Sequence, residues 1–167
     1  MTAVIGLDLS LTCSGVALTD GSTRSIRPHC GPDHPARRLN EIIGRLDGCL
    51  RHGHPTIAII EGYNPGGHQG FTACRLGELG GAVRLRLFEL GIAYFEVAPA
   101  QLKKYATGNG GASKDEMVAA AEAAGGRPAN HDEADAWWLR HMGVAVVTRH
   151  ADDEHRQALV ANLDWRI

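Results

Sequence analysis

Residues 3–9, AVIGLDL, form an apolar run too short for a stable helix, with an acid next to its far end. The run reads as a buried strand that delivers Asp8 to its C-terminal end. Residues 14–19, SGVALT, read as a second strand. Asp20-Gly21 has the chemistry of a tight hairpin turn, and residues 22–27 supply a third strand. The Gly- and Pro-rich segment His29–Pro35 closes this opening meander as a loop.

The period then changes. Leu39, Ile42, Ile43, Leu46 and Leu50 recur at spacings of three and four, which predicts an amphipathic helix over 36–51. Residues 56–61, TIAIIE, are a buried strand that again ends on a carboxylate, Glu61. Tyr63–Gly70 is a loop by its Gly and Pro content. A helix over 72–90 follows, with Leu76, Leu79, Val83 and Leu87 on one face, and then a strand over 92–97. Pro99 opens a short helical turn to Tyr105, and Thr107–Ala112, TGNGGA, has the composition of a mobile loop. Ser113 and Glu116 form a capping-box pattern that starts a helix over 114–124. His131–Val147 is the last clear helix, and residues 148–167 carry mixed charge without a readable pattern.

This order predicts an α/β fold. An antiparallel three-strand meander plus two αβ units gives a mixed five-stranded sheet with helices on both faces. One domain is expected over 1–147, with 148–167 as a C-terminal extension.

Composition removes several function classes. No apolar stretch approaches the roughly 20 residues needed to span a bilayer, so no membrane partner is expected. The start MTAVIGLDLS lacks a basic segment and places an acid in its apolar run, unlike a signal peptide, so a cytoplasmic site is the expectation. Cys13, Cys30, Cys49 and Cys74 form no CxxC pair and no zinc spacing, and read as reduced, mostly buried thiols. The net charge of −2 hides an uneven distribution. Arg75, Arg84, Arg86, Lys103, Lys104 and Lys114 make residues 71–114 basic, whereas the segment after them is acidic. A basic middle beside an acidic end suits a surface that meets phosphates next to a cluster that binds cations.

Three features place acids where chemistry can use them. Asp8 and Glu61 both end strands, where open α/β sheets present their ligand sites. Asp132 and Asp135 stand three apart in DEADA and share a helix face, whereas Glu133 points about 100° away from Asp132 and is expected to be solvated. Ala134 and Ala136 are small enough to bring that helix close to a sheet, with Trp137 and Trp138 as core anchors. Phosphodiester hydrolysis needs an activated water opposite a leaving alkoxide, and two divalent ions held by carboxylates meet that need. His131 is a candidate outer partner of Asp132.

The motifs also resemble a known family, the RuvC-type Holliday-junction resolvases, which have an RNase H-like fold. GLDLSLTCSGVAL (6–18) resembles its first hairpin, IIEG (59–62) its second catalytic segment, VAPAQLKKYATGNGGASKDEM (97–117) its lysine-bearing segment and DEADA (132–136) its terminal segment. The resemblance implies that Asp8, Glu61, Asp132 and Asp135 hold two Mg2+ ions, with Mn2+ as a substitute. It implies Lys114 as a catalytic cation, and Lys103 or Lys104 as contacts to phosphates. It implies branched DNA, foremost the four-way junction, as partner, and a homodimer. An aromatic wedge is expected in the loop after Glu61, where Tyr63 and Phe71 are both candidates, with Arg75 as a further DNA contact. Three other readings stay open. One is a sugar-kinase or actin-like ATPase, which needs two such domains. Another is a flap or RNA–DNA hybrid nuclease of the same superfamily. The third is a non-catalytic junction-binding module.

Overall fold

The computed structural model describes residues 3–62 and 70–161. In chain order the elements are β1 (Val4–Asp8), β2 (Ser14–Ala17), β3 (Thr23–Ile26), α1 (Pro35–Gly53), β4 (Ile57–Glu61) and α2 (Phe71–Glu89). They continue with β5 (Ala93–Val97), α3 (Pro99–Thr107), α4 (Lys114–Ala123), α5 (His131–Thr148) and α6 (Glu154–Ala161). The five strands form one sheet in the order β3-β2-β1-β4-β5. The first three pair antiparallel, and β1, β4 and β5 pair parallel. The expected mixed sheet is therefore present, with β1 at its centre.

Alternation along the strands divides the interior into two cores. Ile5, Leu7, Val16, Ala58 and Ile60 face α1 and α2, where they meet Ile42, Leu46, Leu79 and Val83. Val4 and Ile59 face the opposite side, where Trp138, Leu139 and Met142 of α5 lead a core completed by Leu102, Tyr105 and Met117. Trp138 is fully buried, and its indole N–H donates to the Met117 carbonyl at 3.2 Å.

Helix α5 lies against the sheet more closely than ordinary side chains allow. A Cβ at Gly6 would overlap the Ala136 carbonyl, one at Gly15 the Asp132 carbonyl, and one at Gly143 the Ile59 side chain. The small residues expected to permit this approach were Ala134 and Ala136. Both are fully buried, but the glycines of the sheet carry the closest contacts.

The structure departs from the sequence reading in four further places. Helix α3 runs on past Tyr105 to Thr107. The segment 107–112 is a bonded turn: Thr107 Oγ1 donates to the Lys103 carbonyl, the Asn109 amide to Thr107 Oγ1, and the Gly111 amide to Asn109 Oδ1. Residues 154–161, unreadable in sequence, form α6. Arg156 ties it down by donating to the Tyr105 and Ala106 carbonyls at the free end of α3 and by stacking 4.7 Å over Trp138. The cysteines are not mostly buried, since Cys74 is exposed and the other three are half-buried. Among the described residues no helix is long and apolar enough to cross a membrane.

Candidate metal centre

Strand alternation decides where the first two acids point. Asp8 falls on the Val4 side of β1 and Glu61 on the Ile59 side of β4, so both face α5. The parallel register aligns Leu7 with Ile60, which makes Asp8 and Glu61 lateral neighbours one step further on. Asp8 is only 8% exposed.

The N-terminus of α5 supplies the other two. Its N-cap is Asn130, whose side-chain oxygen accepts the Glu133 amide at 3.0 Å. Gly15, the antiparallel partner of Asp8, lies directly under the Asp132 carbonyl, and this seats Asp132 beside Asp8. Asp135, one turn on, reaches the same cluster.

The electrostatics show how closely the acids gather. Burial raises the Asp8 carboxyl well above the ordinary carboxylate range, and the charges of Glu61, Asp135 and Asp132 raise it further. Glu61 is raised by burial, against the pull of its hydrogen bond with Asp8 and of Lys103 and Lys114. Asp135 is raised to about 7 by burial and by the Glu61 charge, again opposed by Lys114 and Lys103. Its Oδ1 is buried without a hydrogen-bond partner. Such an oxygen is costly to bury unless something else satisfies it.

Hard oxygen donors that repel one another, one of them orphaned, fit a divalent cation. Among the described residues no three His, Cys, Asp or Glu side chains already form a closed cage.

The expected cations separate. Lys103 and Lys114 both act on Glu61 and Asp135, whereas Lys104 is exposed and its carbonyl takes a bond from His155. The arginines of the basic middle are engaged by carboxylates: Arg75 by Glu78, Arg84 by Glu96, and Arg86 by Asp47 and Glu89. His131 Nε2 lies 3.5 Å from Asp132 Oδ1, as an outer partner would. Phe71 is 74% exposed at the start of α2 with the Arg75 guanidinium 4.6 Å over its ring. Both line a groove of about 340 Å³ with Ser10, Thr12 and Arg38. The other wedge candidate, Tyr63, lies outside the described residues, as does most of the loop Tyr63–Gly70.

Glu133 corrects the sequence reading. It is not solvated but 6% exposed, because β3 passes in front of it. Its carboxylate accepts from Thr23 Oγ1 and Ser25 Oγ, each at 2.7 Å, and from the Ala129 amide at 3.0 Å. Burial acts to raise its pKa, but these three donors, together with the Arg27 charge, outweigh it and hold the group below the ordinary value. No spacing within the helix signalled this, because the partners on β3 lie far away in sequence.

Comparison with known proteins gives a consistent result. The family model described as crossover junction endodeoxyribonuclease RuvC matches residues 4–153. A protein of that name from Chlorobium phaeovibrioides is 30% identical over 155 residues, covering 86% of this chain and 78% of the relative. The namesake from Anaeromyxobacter dehalogenans strain 2CP-C is 35% identical over 102 residues, covering 60% of this chain. The chain spans about half, 55%, of the length of that relative. In fold, the chain is similar to Thermus thermophilus RuvC solved in complex with a Holliday junction substrate. The TM-score is 0.67 at 23% identity, over 84% of this chain and 91% of that one. It is also similar in fold to the yeast mitochondrial Holliday junction resolvase, with a TM-score of 0.54 at 12% identity over 96% and 79% of the two chains.

Proposed function

The chain belongs to the family of RuvC crossover junction endodeoxyribonucleases, and from that premise we propose that it is a metal-dependent endonuclease that cuts branched DNA, foremost the four-way Holliday junction. The observation that carries the reading is the convergence of Asp8, Glu61 and Asp135 on one buried spot, where the Glu61 charge raises both Asp8 and Asp135, the Asp135 charge raises Asp8, and one Asp135 oxygen is left without a partner.

Asp8, Glu61, Asp132 and Asp135 are the proposed ligands of two Mg2+ ions, for which Mn2+ substitutes. Bound there, the ions supply the Lewis acidity that deprotonates a water and offsets charge on the leaving oxygen. The rest falls to the chain's own groups. Lys114, at the first position of α4, and Lys103 hold the phosphate beside the acids and offset the negative charge it gains. The wall formed by β1 and α5 limits water on one side of the cluster. His131 steadies Asp132 from outside. Phe71 and Arg75 form the rim that meets the branch, by stacking and by charge. Lys104 is a more distant phosphate contact.

The nuclease unit runs from β1 through α5, with residues 148–161 as a buttress on α3 and α5. A homodimer suits the near two-fold symmetry of a four-way junction. Leu85 and Phe88, 59% and 79% exposed on the outer side of α2, are its proposed contact. The deciding experiment compares cleavage of a synthetic four-way junction, a flap and an RNA–DNA hybrid, each with Mg2+ and with Mn2+. Paired nicks across the junction are expected. Cleavage of the hybrid alone, or binding of the junction without cleavage under either metal, would overturn the reading.

A further inference from the structure

Glu133 is the one deeply buried acid of α5 that the cation chemistry does not use. A buried carboxylate normally needs a cationic partner. This one has no ion pair within 4.0 Å among the described residues; it accepts from the neutral donors of Thr23, Ser25 and Ala129, with the Arg27 charge acting on it from farther off. Asn130 closes the arrangement into a ring. Its Nδ2 donates to Ser25 Oγ at 2.8 Å, Ser25 Oγ donates to Glu133 Oε1, and the Glu133 amide donates back to Asn130 Oδ1. The first turn of α5 is thereby fastened to β3 by directional bonds on both sides of the Asp132–Glu133 peptide. From below, the Asp132 carbonyl sits on Gly15 with no room for a Cβ.

An apolar side chain at 133 would bury as much surface but would leave the helix free to slide along the strand. Three hydrogen bonds of fixed direction remove that freedom. We propose that Glu133 is a positioning residue: it clamps the start of α5 to β3 so that Asp132 is presented to the cation site in a set orientation. This rests on the assignment of Asp132 as a cation ligand.

The test uses the full chain and Mn2+ alone, without DNA. Mn2+ affinity is measured by calorimetry well below the unfolding temperature, and amide hydrogen exchange is followed over residues 131–135. Three variants are compared: Glu133→Ala, Glu133→Gln, and the strand-side pair Thr23→Val/Ser25→Ala, which keeps Glu133 and serves if the alanine variant fails to fold. Loss of the clamp is expected to weaken Mn2+ binding by about tenfold and to speed exchange at the first turn of α5, in Glu133→Ala and in the strand pair alike. Glu133→Gln keeps an oxygen for Thr23 and Ala129 and an amide for Ser25, so it is expected to bind near wild type. Wild-type Mn2+ affinity in Glu133→Ala and in the strand pair would overturn the proposal alone. So would a glutamine variant as weak as the alanine one, since charge rather than placement would then be at work. A folded wild-type chain that takes up no Mn2+ would overturn the metal-site reading and this proposal with it.

Discussion

Asp8 and Glu61 end two adjacent parallel strands and face the same helix, so the Glu61 charge adds to burial in holding the Asp8 carboxyl well above the ordinary carboxylate range. A divalent ion at the proposed site would relieve that repulsion. The surroundings of the pair turn the repulsion into measurable behaviour.

The metal-free protein is predicted to gain stability as pH falls from 8 to about 6.5. Asp135 has a folded pKa of about 7, against about 3.9 in an unfolded chain. Above 7 both states are ionised and the folded state bears the whole cost of burial. Below 7 the folded state takes up the proton first, so stability rises, and the gain saturates near 4. The full effect is on the order of 4 kcal/mol for Asp135, and Asp8 adds in the same direction. His141, whose pKa is lowered by burial, works the other way as pH falls through about 6.5, which sets the lower limit of the clean window. Thermal unfolding with chelator across this range measures the slope. Saturating Mg2+ is expected to flatten or invert it, because cations require the ionised acids.

Asp8→Asn and Asp135→Asn are predicted to abolish cutting yet raise the unfolding temperature of the metal-free protein at pH 8. Each replaces a carboxyl whose ionised form burial and neighbouring charges disfavour. At about 2–4 °C per kcal/mol for a chain of this size, the rise is several degrees. Junction binding in Ca2+, read by gel shift, is expected to survive. Undiminished cutting by either variant would remove that residue from the site.

Lys114→Ala is predicted to lower kcat by about 10²-fold with the unfolding temperature little changed, because the side chain is exposed. Lys114 holds down the pKa values of Glu61 and Asp135. Its loss lets both rise, so the acid limb of the pH–rate profile should move to higher pH. An unmoved limb with unchanged kcat would place Lys114 outside the site.

Gly15→Ala is predicted to cost about 1–3 kcal/mol and to weaken Mn2+ binding, since the new Cβ must push the Asp132 carbonyl away from Asp8. Gly143→Ala crowds Ile59 and Val4 instead, more than two turns along α5. It should lose stability with less effect on the cation. Equal losses of Mn2+ affinity in the two variants would argue that α5 responds as a rigid rod.

Phe88→Glu is predicted to convert a dimer to a monomer without unfolding it, because Phe88 is 79% exposed within the chain. Light scattering on the purified protein measures this. A dimer that survives the substitution would move the interface elsewhere.

The strands were legible because run length and period 2 are local properties, and the acids at their ends marked the candidate site for the same reason. Asp132 and Asp135 were legible from helix spacing alone. Glu133 was misplaced because spacing within a helix says nothing about a strand that crosses it from over a hundred residues away, and Thr23 and Ser25 lie there. The part played by Gly6 and Gly15 was hidden as well, since a glycine in a strand shows its purpose only when the helix above it is known. Helix α6 carries a single buried residue, Val160, too few for a period to register. Its anchor is Arg156, whose partners include backbone carbonyls of α3 and the Trp138 ring. The loop 107–112 looked mobile by composition because its Asn and Thr bonds depend on conformation, not content.

The order of the four acids along the chain bears on how the protein is made. β1 lies at the centre of the sheet and is synthesised first, whereas α5, which closes over it, comes after residue 130. A nascent chain that has exposed its first hundred residues carries Asp8 and Glu61 but neither Asp132 nor Asp135. Under the proposed four-acid site, cutting would begin only once most of the sequence had emerged from the ribosome, and a product truncated before α5 would lack half of the ligand set.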